Sequence, residues 1–433
     1  RDAWVEPGPV REDVCFHRGM PEELRVPEST PAVLDDWFAA AATRPNMRVF
    51  WGFSEPTDAC MPLVARLAGL RELRLWQGTG LTDAGLAPLA RLTDLRLLDL
   101  SQSPAIDGTG LRQLSSAAGL RWLSLHECRH VSDDGLTALQ CFERLESLVV
   151  SSPRLTDAGL KSISRVGSLR RLVVRGSPFG TNRGVTDDGI VSLGALTRLE
   201  RLEIGGFPRA GAAGLRGLET LTELRYLTIG DFPAMSARGM ESLARLTNLR
   251  ELFVHLGGEH GDEGLSHFGA LDRLETLKYT PIVEGRGLAH LRGLQELRTL
   301  ILTLSSDEGF EHIGHLASLR RLIVAYCPGI TGSGLRHLAG CRQLEELVLT
   351  RDTGIDAVSL GHVAGLPHLR RLDLHGCSRI TDRGLAALAR LPALQELNVL
   401  ECPQVTAAGV RALKWAAAQP VTVYFDDDAE QAP

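Results

Sequence analysis

What this chain lacks narrows its function before any motif is found. It has no run of about 18 uninterrupted apolar residues, so no membrane-spanning helix is expected. It has no basic surplus: 47 Lys and Arg stand against 53 Asp and Glu, a formal net charge of −6, which argues against a nucleic-acid partner. Aromatics make up only 5% of residues, too few for a core built on large rings. The eight cysteines include no C-x-x-C pair, which removes the usual zinc and redox spacings. Dispersed single thiols fit a reducing, cytoplasmic compartment better than a disulfide framework. No P-loop, glycine-rich dinucleotide turn, G-x-S-x-G elbow or H-E-x-x-H occurs. No catalytic residue, cofactor or metal ligand is therefore expected, and the chain reads as a non-enzyme.

What is present is one pattern used many times. L-x-x-L-x-[LVI] begins at Leu70, Leu95, Leu120, Leu145, Leu169, Leu199 and Leu224, and again at Leu249, Leu274, Leu297, Leu319, Leu344, Leu369 and Leu394. At Leu274 the third member is Tyr279. A second signature follows each copy, typically [LIV]-[TS]-D-x-G-[LI], as in residues 81–86 (LTDAGL) and 380–385 (ITDRGL). Only Ser359 breaks the glycine column of that signature. The last two apolar positions of the first signature alternate with period two, the spacing of one face of a short strand. Thr or Ser before Asp marks a helix start, where a hydroxyl caps free N–H groups and a carboxylate suits the positive end. The leucines after the glycine fall on one helical stripe, and the glycine lets that helix approach its neighbour closely. A single copy buries too few aliphatic side chains to offset its own ordering, so the copies must stack.

The pattern resembles leucine-rich repeats of the cysteine-containing type, known from the substrate-binding half of F-box proteins and from bacterial repeat proteins. That resemblance implies an α/β solenoid of about 15 repeats, a curved horseshoe with a parallel sheet on the concave face and helices on the convex face. The chain is expected to divide into an N-terminal segment with a capping helix (1–46, the helix over 31–42), the solenoid (47–425) and an acidic tail (426–433). Residues 47–53 (MRVFWGF) are expected to form an earlier strand and residues 420–425 (PVTVYF) a terminal one. Residues 20–26 (MPEELRV) resemble an F-box start, but the rest of that three-helix motif is absent. The long step between Leu169 and Leu199 is an insertion at 177–184 (SPFGTNRG), read first as tolerated loop growth.

The chemistry-bearing residues fall into the repeat. Cys128, Cys327, Cys377 and Cys402 share one register that Ser103, Phe207 and Phe232 fill elsewhere, so they read as inward-turned structural thiols. His126, His255 and His375 sit outward on separate strands, too far apart to share an ion. The residue after the first leucine is Arg nine times (71, 96, 121, 170, 225, 250, 298, 320, 370) and Glu four times (146, 200, 275, 345), a mixed rim that either steers an acidic partner or pairs with itself. Outward strand positions place Ile301, Ile323 and Val348 in a row, flanked by Thr299, Thr303 and Arg321, with Leu304 and Tyr326 nearby. A contiguous uncharged strip of this kind marks a contact surface. The expected function is a scaffold that binds a protein or peptide there, with no nucleic acid and no membrane. The alternatives are the recognition or sensor arm of a larger adaptor, F-box-like or similar, and, further back, an enzyme or an enzyme's substrate-holding partner.

Overall fold

The computed structural model describes residues 23–25, 49–51, 55–176, 182–232, 236–256, 261–325, 327, 329–351 and 354–426. The capping helix expected over 31–42, residues 177–181 of the insertion, Tyr326 and the tail after Asp426 lie outside the described residues. The chain forms two compact units, Arg1–Ser152 and Pro153–Pro433.

Among the described residues of the first unit six strands pair in parallel, each with the next: β1 (Glu23–Arg25), β2 (Val49–Trp51), β3 (Glu72–Arg74), β4 (Leu97–Asp99), β5 (Trp122–Leu125) and β6 (Ser147–Ser151). The strand expected at 47–53 is present, and β1 adds one before it, within the segment that resembled an F-box start. Among the described residues of the second unit eleven strands pair in the same way. They are β7 (Arg171–Arg175), β8 (Arg201–Gly205), β9 (Tyr226–Gly230), β10 (Glu251–His255), β11 (Thr276–Val283), β12 (Thr299–Leu304), β13 (Arg321–Ala325), β14 (Glu346–Thr350), β15 (Arg371–Asp373), β16 (Glu396–Asn398) and β17 (Thr422–Tyr424). The terminal strand expected at 420–425 is thus β17.

Strand pleating sorts the side chains. In β14, Leu347 and Leu349 are fully buried while Glu346, Val348 and Thr350 are half-buried on the other face. Short helical segments return the chain to the next strand, some α-helical, such as Asp382–Leu388, and some 3₁₀, such as Ala84–Arg91. Leucines three apart stay on the inward side of either form, and Leu86, Leu89, Leu385 and Leu388 are all fully buried.

The signature aspartate does more than favour its own helix end. Its carboxylate reaches the start of the following repeat and accepts hydrogen bonds there. Asp157 accepts from the backbone N–H of Thr186 at 2.8 Å and of Gly189 at 3.0 Å, and from the Thr186 hydroxyl at 2.8 Å. Asp83 does the same for the N–H groups of Asp107, Gly108 and Gly110, and Asp262 for those of Glu284, Gly285 and Gly287. Free N–H groups at a helix start are thereby satisfied by the preceding repeat. The glycine column follows from this clip, because a Cβ at Gly189 or Gly409 would overlap the carboxylate of Asp157 or Asp382. Ser359 breaks the column where the preceding repeat has Gly332 in place of the aspartate. A Cβ at Gly332 would collide with the Ser359 hydroxyl, so the two positions have exchanged side-chain volume.

Candidate functional site

The sheet face opposite the leucine core carries the residues singled out from sequence. Register puts Ile301 beside Ile323, and Ile323 beside Val348, on β12, β13 and β14. All three are half-buried, as are Thr299 and Thr303, and Arg321 is exposed. Leu304 departs from the expected strip: it is 1% exposed. Strand β12 extends through it with unbroken alternation, so Leu304 shares the inward face with Leu300 and Leu302. Tyr326 lies outside the described residues.

A residue outside the expected strip that shares this surface is Ile282, which continues the alternation of β11. Strand β11 carries a bulge between Tyr279 and Ile282, which sets Ile282, rather than Thr280, opposite Thr303. Thr280 turns its hydroxyl to the Val254 carbonyl at 3.2 Å, and Pro281, with no N–H to donate, occupies the irregular stretch. Ile282 is 49% exposed and adds an apolar side chain beside Thr303, while Lys278 stands opposite Ile301. The signal in the sequence was the Thr-Pro pair inside a strand pattern. Beyond Val348 the surface becomes a shallow polar hollow lined by Glu346, Arg371, Asp373, Glu396 and Asn398, with Tyr424 at its edge.

The arginine rim is largely self-paired. Arg121 meets Glu146 at 3.3 Å, Arg250 meets Glu275 at 2.7 Å, Arg320 meets Glu345 at 2.9 Å, Arg170 pairs with Glu200, and Arg298 approaches Glu275 at 3.8 Å. Cross-strand pairing therefore occupies all four rim glutamates and five of the nine arginines, and exposed pairs of this kind contribute little to stability.

The thiols sit where the chain turns inward. Cys128, Cys327 and Cys377 are fully buried and Cys402 is 4% exposed. Cys128 and Cys377 each donate to a carbonyl of the preceding repeat, of Leu100 and Leu349, at 3.0 Å. Burial pushes the Cys128 thiol up to about 12 and raises that of Cys402. The residue before the turn adopts a left-handed conformation, Glu127 with φ 56° and Gly376 with φ 73°, which aims the next side chain into the core.

The outward histidines are held by different partners. His126 Nδ1 lies 3.1 Å from the Ser151 hydroxyl, and His375 Nε2 lies 3.4 Å from Glu401. His255 is shifted down, first by burial and then by the Lys278 ammonium. Among the described residues no group of three His, Cys, Asp or Glu side chains is arranged to hold a metal, and no helix is long and apolar enough to cross a membrane. The insertion contains Asn182, to which the sequence alone gave no separate role. Its amide is fully buried, donating to the carbonyls of Pro153 and Leu155 and accepting from the N–H groups of Gly184 and Val185.

With this geometry in hand, known proteins resemble the chain as follows. A family model described as Leucine Rich repeat matches residues 365–389. Among solved structures, a leucine-rich-repeat protein of Leptospira interrogans aligns over 93% of this chain and 100% of its own at 15% identity, with a TM-score of 0.55. A chain of the yeast Rad7 and Elc1 complex aligns over 90% of this chain and 91% of its own at 18% identity and TM-score 0.49. An internalin of Listeria monocytogenes aligns over 76% and 81% at 21% identity and TM-score 0.45. The first likeness bears on the fold alone, and the other two are too loose to carry an argument. No curated protein matches the sequence.

Proposed function

This chain is a leucine-rich-repeat protein, and from that premise we propose that it is a non-enzymatic scaffold that binds a protein or peptide on the sheet face of its second unit. The observation that supports this is the cross-strand row Ile282, Thr303, Ile301, Ile323 and Val348. These side chains face away from the core: Ile301, Ile323 and Val348 stand in register on three adjacent strands, Ile282 lies beside Thr303 one outward position along, and together they leave apolar surface half open. An apolar row rimmed by threonines and charge suits a contact surface better than a catalytic one. The titratable groups of the repeat support the same reading, since the clip aspartates and turn cysteines are spent on holding repeats together. Buried thiols that donate to carbonyls also support a reducing compartment such as the cytoplasm.

The test separates surface from core. Ile323→Asp places a charge in the row without touching the leucines, and should weaken partner binding at least about 30-fold, the loss of one central contact worth ~2 kcal/mol. Its melting temperature should stay close to that of the parent. Leu322→Ala, one position away and fully buried, should instead destabilise the fold by roughly 2–5 kcal/mol. Normal partner binding by Ile323→Asp, with binding lost on substitution in the 177–184 insertion, would move the site to that loop.

A further inference from the structure

The sheet face of the second unit changes character along its length. Among the described outward positions, β7 to β11 carry Arg171, Arg175, Arg201 and Lys278 against Glu203 and Glu251. The apolar row follows on β11 to β14. Strands β14 to β16 then carry Glu346, Asp373 and Glu396 against Arg371. One end is electropositive and the middle largely apolar, and at the far end Glu346 and Glu396 pair with Arg321 and Arg371, leaving one carboxylate, Asp373, in excess.

The positive end is built rather than merely charged. Glu203 divides its carboxylate between two arginines: Oε1 accepts from Arg201 Nε at 3.0 Å and Nη2 at 2.8 Å, and Oε2 accepts from Arg175 Nη2 at 3.1 Å. Arg201 also lies over the Tyr226 ring, 3.6 Å from its centroid, and Tyr226 packs against Phe253 at 5.3 Å. Arg171 stands beside Arg201 in register but shares in none of this. Its Nε is buried with no hydrogen-bond partner, and among the described residues no carboxylate pairs with it. Between Arg171 and Arg175 the outward Val173 is only 7% exposed, covered by its neighbours. The buried Nε costs free energy without an acceptor, and the Nη groups of Arg171, which are not among its buried atoms, are the donors a ligand on this face can meet. Arginine's planar fork is shaped for a carboxylate.

We propose, resting on the binding role above, that the partner is an extended peptide segment with carboxylate side chains at one end, received by Arg171 and Arg201, and apolar side chains that cross to the row at Ile301 and Ile323. Four strand steps separate β8 from β12, roughly 19 Å at ~4.8 Å each, so about six extended residues lie between the acidic and apolar anchors. Charge favours this orientation over the reverse, because a carboxylate end placed beyond Val348 would meet Asp373 and two glutamates already paired with arginines.

Synthetic 12-residue peptides, read by fluorescence anisotropy with the full chain, test this. The first carries three Glu, a six-residue Gly/Ser spacer and Leu-Ile-Val. A second replaces Glu by Lys, a third replaces the apolar end by Ser, and a fourth replaces the acidic end by Ser. The acidic–apolar peptide should bind at least about tenfold tighter than the basic–apolar one, with the difference shrinking at high salt. Arg171→Gln and Arg171→Glu should remove that preference while leaving the apolar-only peptide unchanged, and circular dichroism should show the same melting. Equal binding of acidic and basic peptides, no response to either Arg171 variant, no measurable binding of the acidic–apolar peptide, or tighter binding of a single-stranded oligonucleotide would each overturn the inference. If Ile323→Asp weakens the apolar-only peptide while the Arg171 variants change nothing, the scaffold reading stands and the acidic end is wrong. If the Arg171 variants act and Ile323→Asp does not, the apolar row is wrong instead.

Discussion

Cys377 shows how a residue with reactive chemistry becomes structural. Its sulfur is buried and donates to the Leu349 carbonyl, as Cys402 donates to Leu374 at 3.2 Å. Thiolates, not thiols, react with maleimides, and burial pushes the Cys128 and Cys341 thiols up to about 12. Cys141 is exposed and should label within minutes at pH 7.5, whereas Cys128, Cys341 and Cys377 should label only when denaturant opens the fold. Mass spectrometry of native protein that finds Cys377 modified as fast as Cys141 would reverse the assignment. His255 offers a pH test. Its folded value lies below 6.5, so between that lowered value and 6.5 the unfolded chain binds more protons than the folded one. Stability should therefore be complete above about pH 6.5 and decline as pH falls through that window. Melting curves between pH 7.5 and 5 should show this decline in the parent and a smaller one in His255→Gln.

Among elements, the unit of stability is the junction between repeats. Asp157 satisfies two N–H groups and a hydroxyl of the next repeat, so Asp157→Ala should cost about 1–3 kcal/mol in urea unfolding, and Asp157→Asn less. The Gly332 and Ser359 exchange makes a sharper test. Gly332→Asp alone should destabilise, because its side chain meets the Ser359 hydroxyl, and Ser359→Gly alone should lose the capping box with Asp356. Together they recreate the pairing found at Asp157 and Gly189, so the double variant should be more stable than the sum of the singles by about 0.5 kcal/mol or more. Strict additivity would show that the clip and the glycine column are unrelated. The insertion illustrates the same point, since Asn182 anchors its end to the carbonyls of Pro153 and Leu155 in the adjoining repeat.

For the whole molecule, each unit is a stack in which every strand pairs with its sequence neighbours, and terminal repeats need cover. The cap proposed for residues 31–42 gives a direct outcome: deleting residues 1–46 should lower the unfolding midpoint of the N-terminal repeats and increase aggregation, measured by light scattering during a thermal ramp. Because β1 pairs with β2, the deletion also bares a strand edge. Unchanged melting and solubility would mark that segment as an independent arm.

The repeat, the strand positions and the inward thiols were legible in the amino-acid order because they depend on local period and side-chain size. Leu347 and Leu349 share one face by their period of two, and Cys377 turns inward in the register that Ser103, Phe207 and Phe232 fill in other repeats. The row at Ile301, Ile323 and Val348 followed from the same alternation. Other features were decided only when strands came together. The bulge at Thr280 and Pro281 sets the register of Ile282 against β12, and register is a property of two strands, not one. The burial of Leu304 depended on how far β12 extends. The reach of Asp157 to Gly189 spans 32 positions in sequence, a distance that no local pattern encodes. The lone Nε of Arg171 is visible only against Glu203, which binds its two neighbours and leaves it without an acceptor.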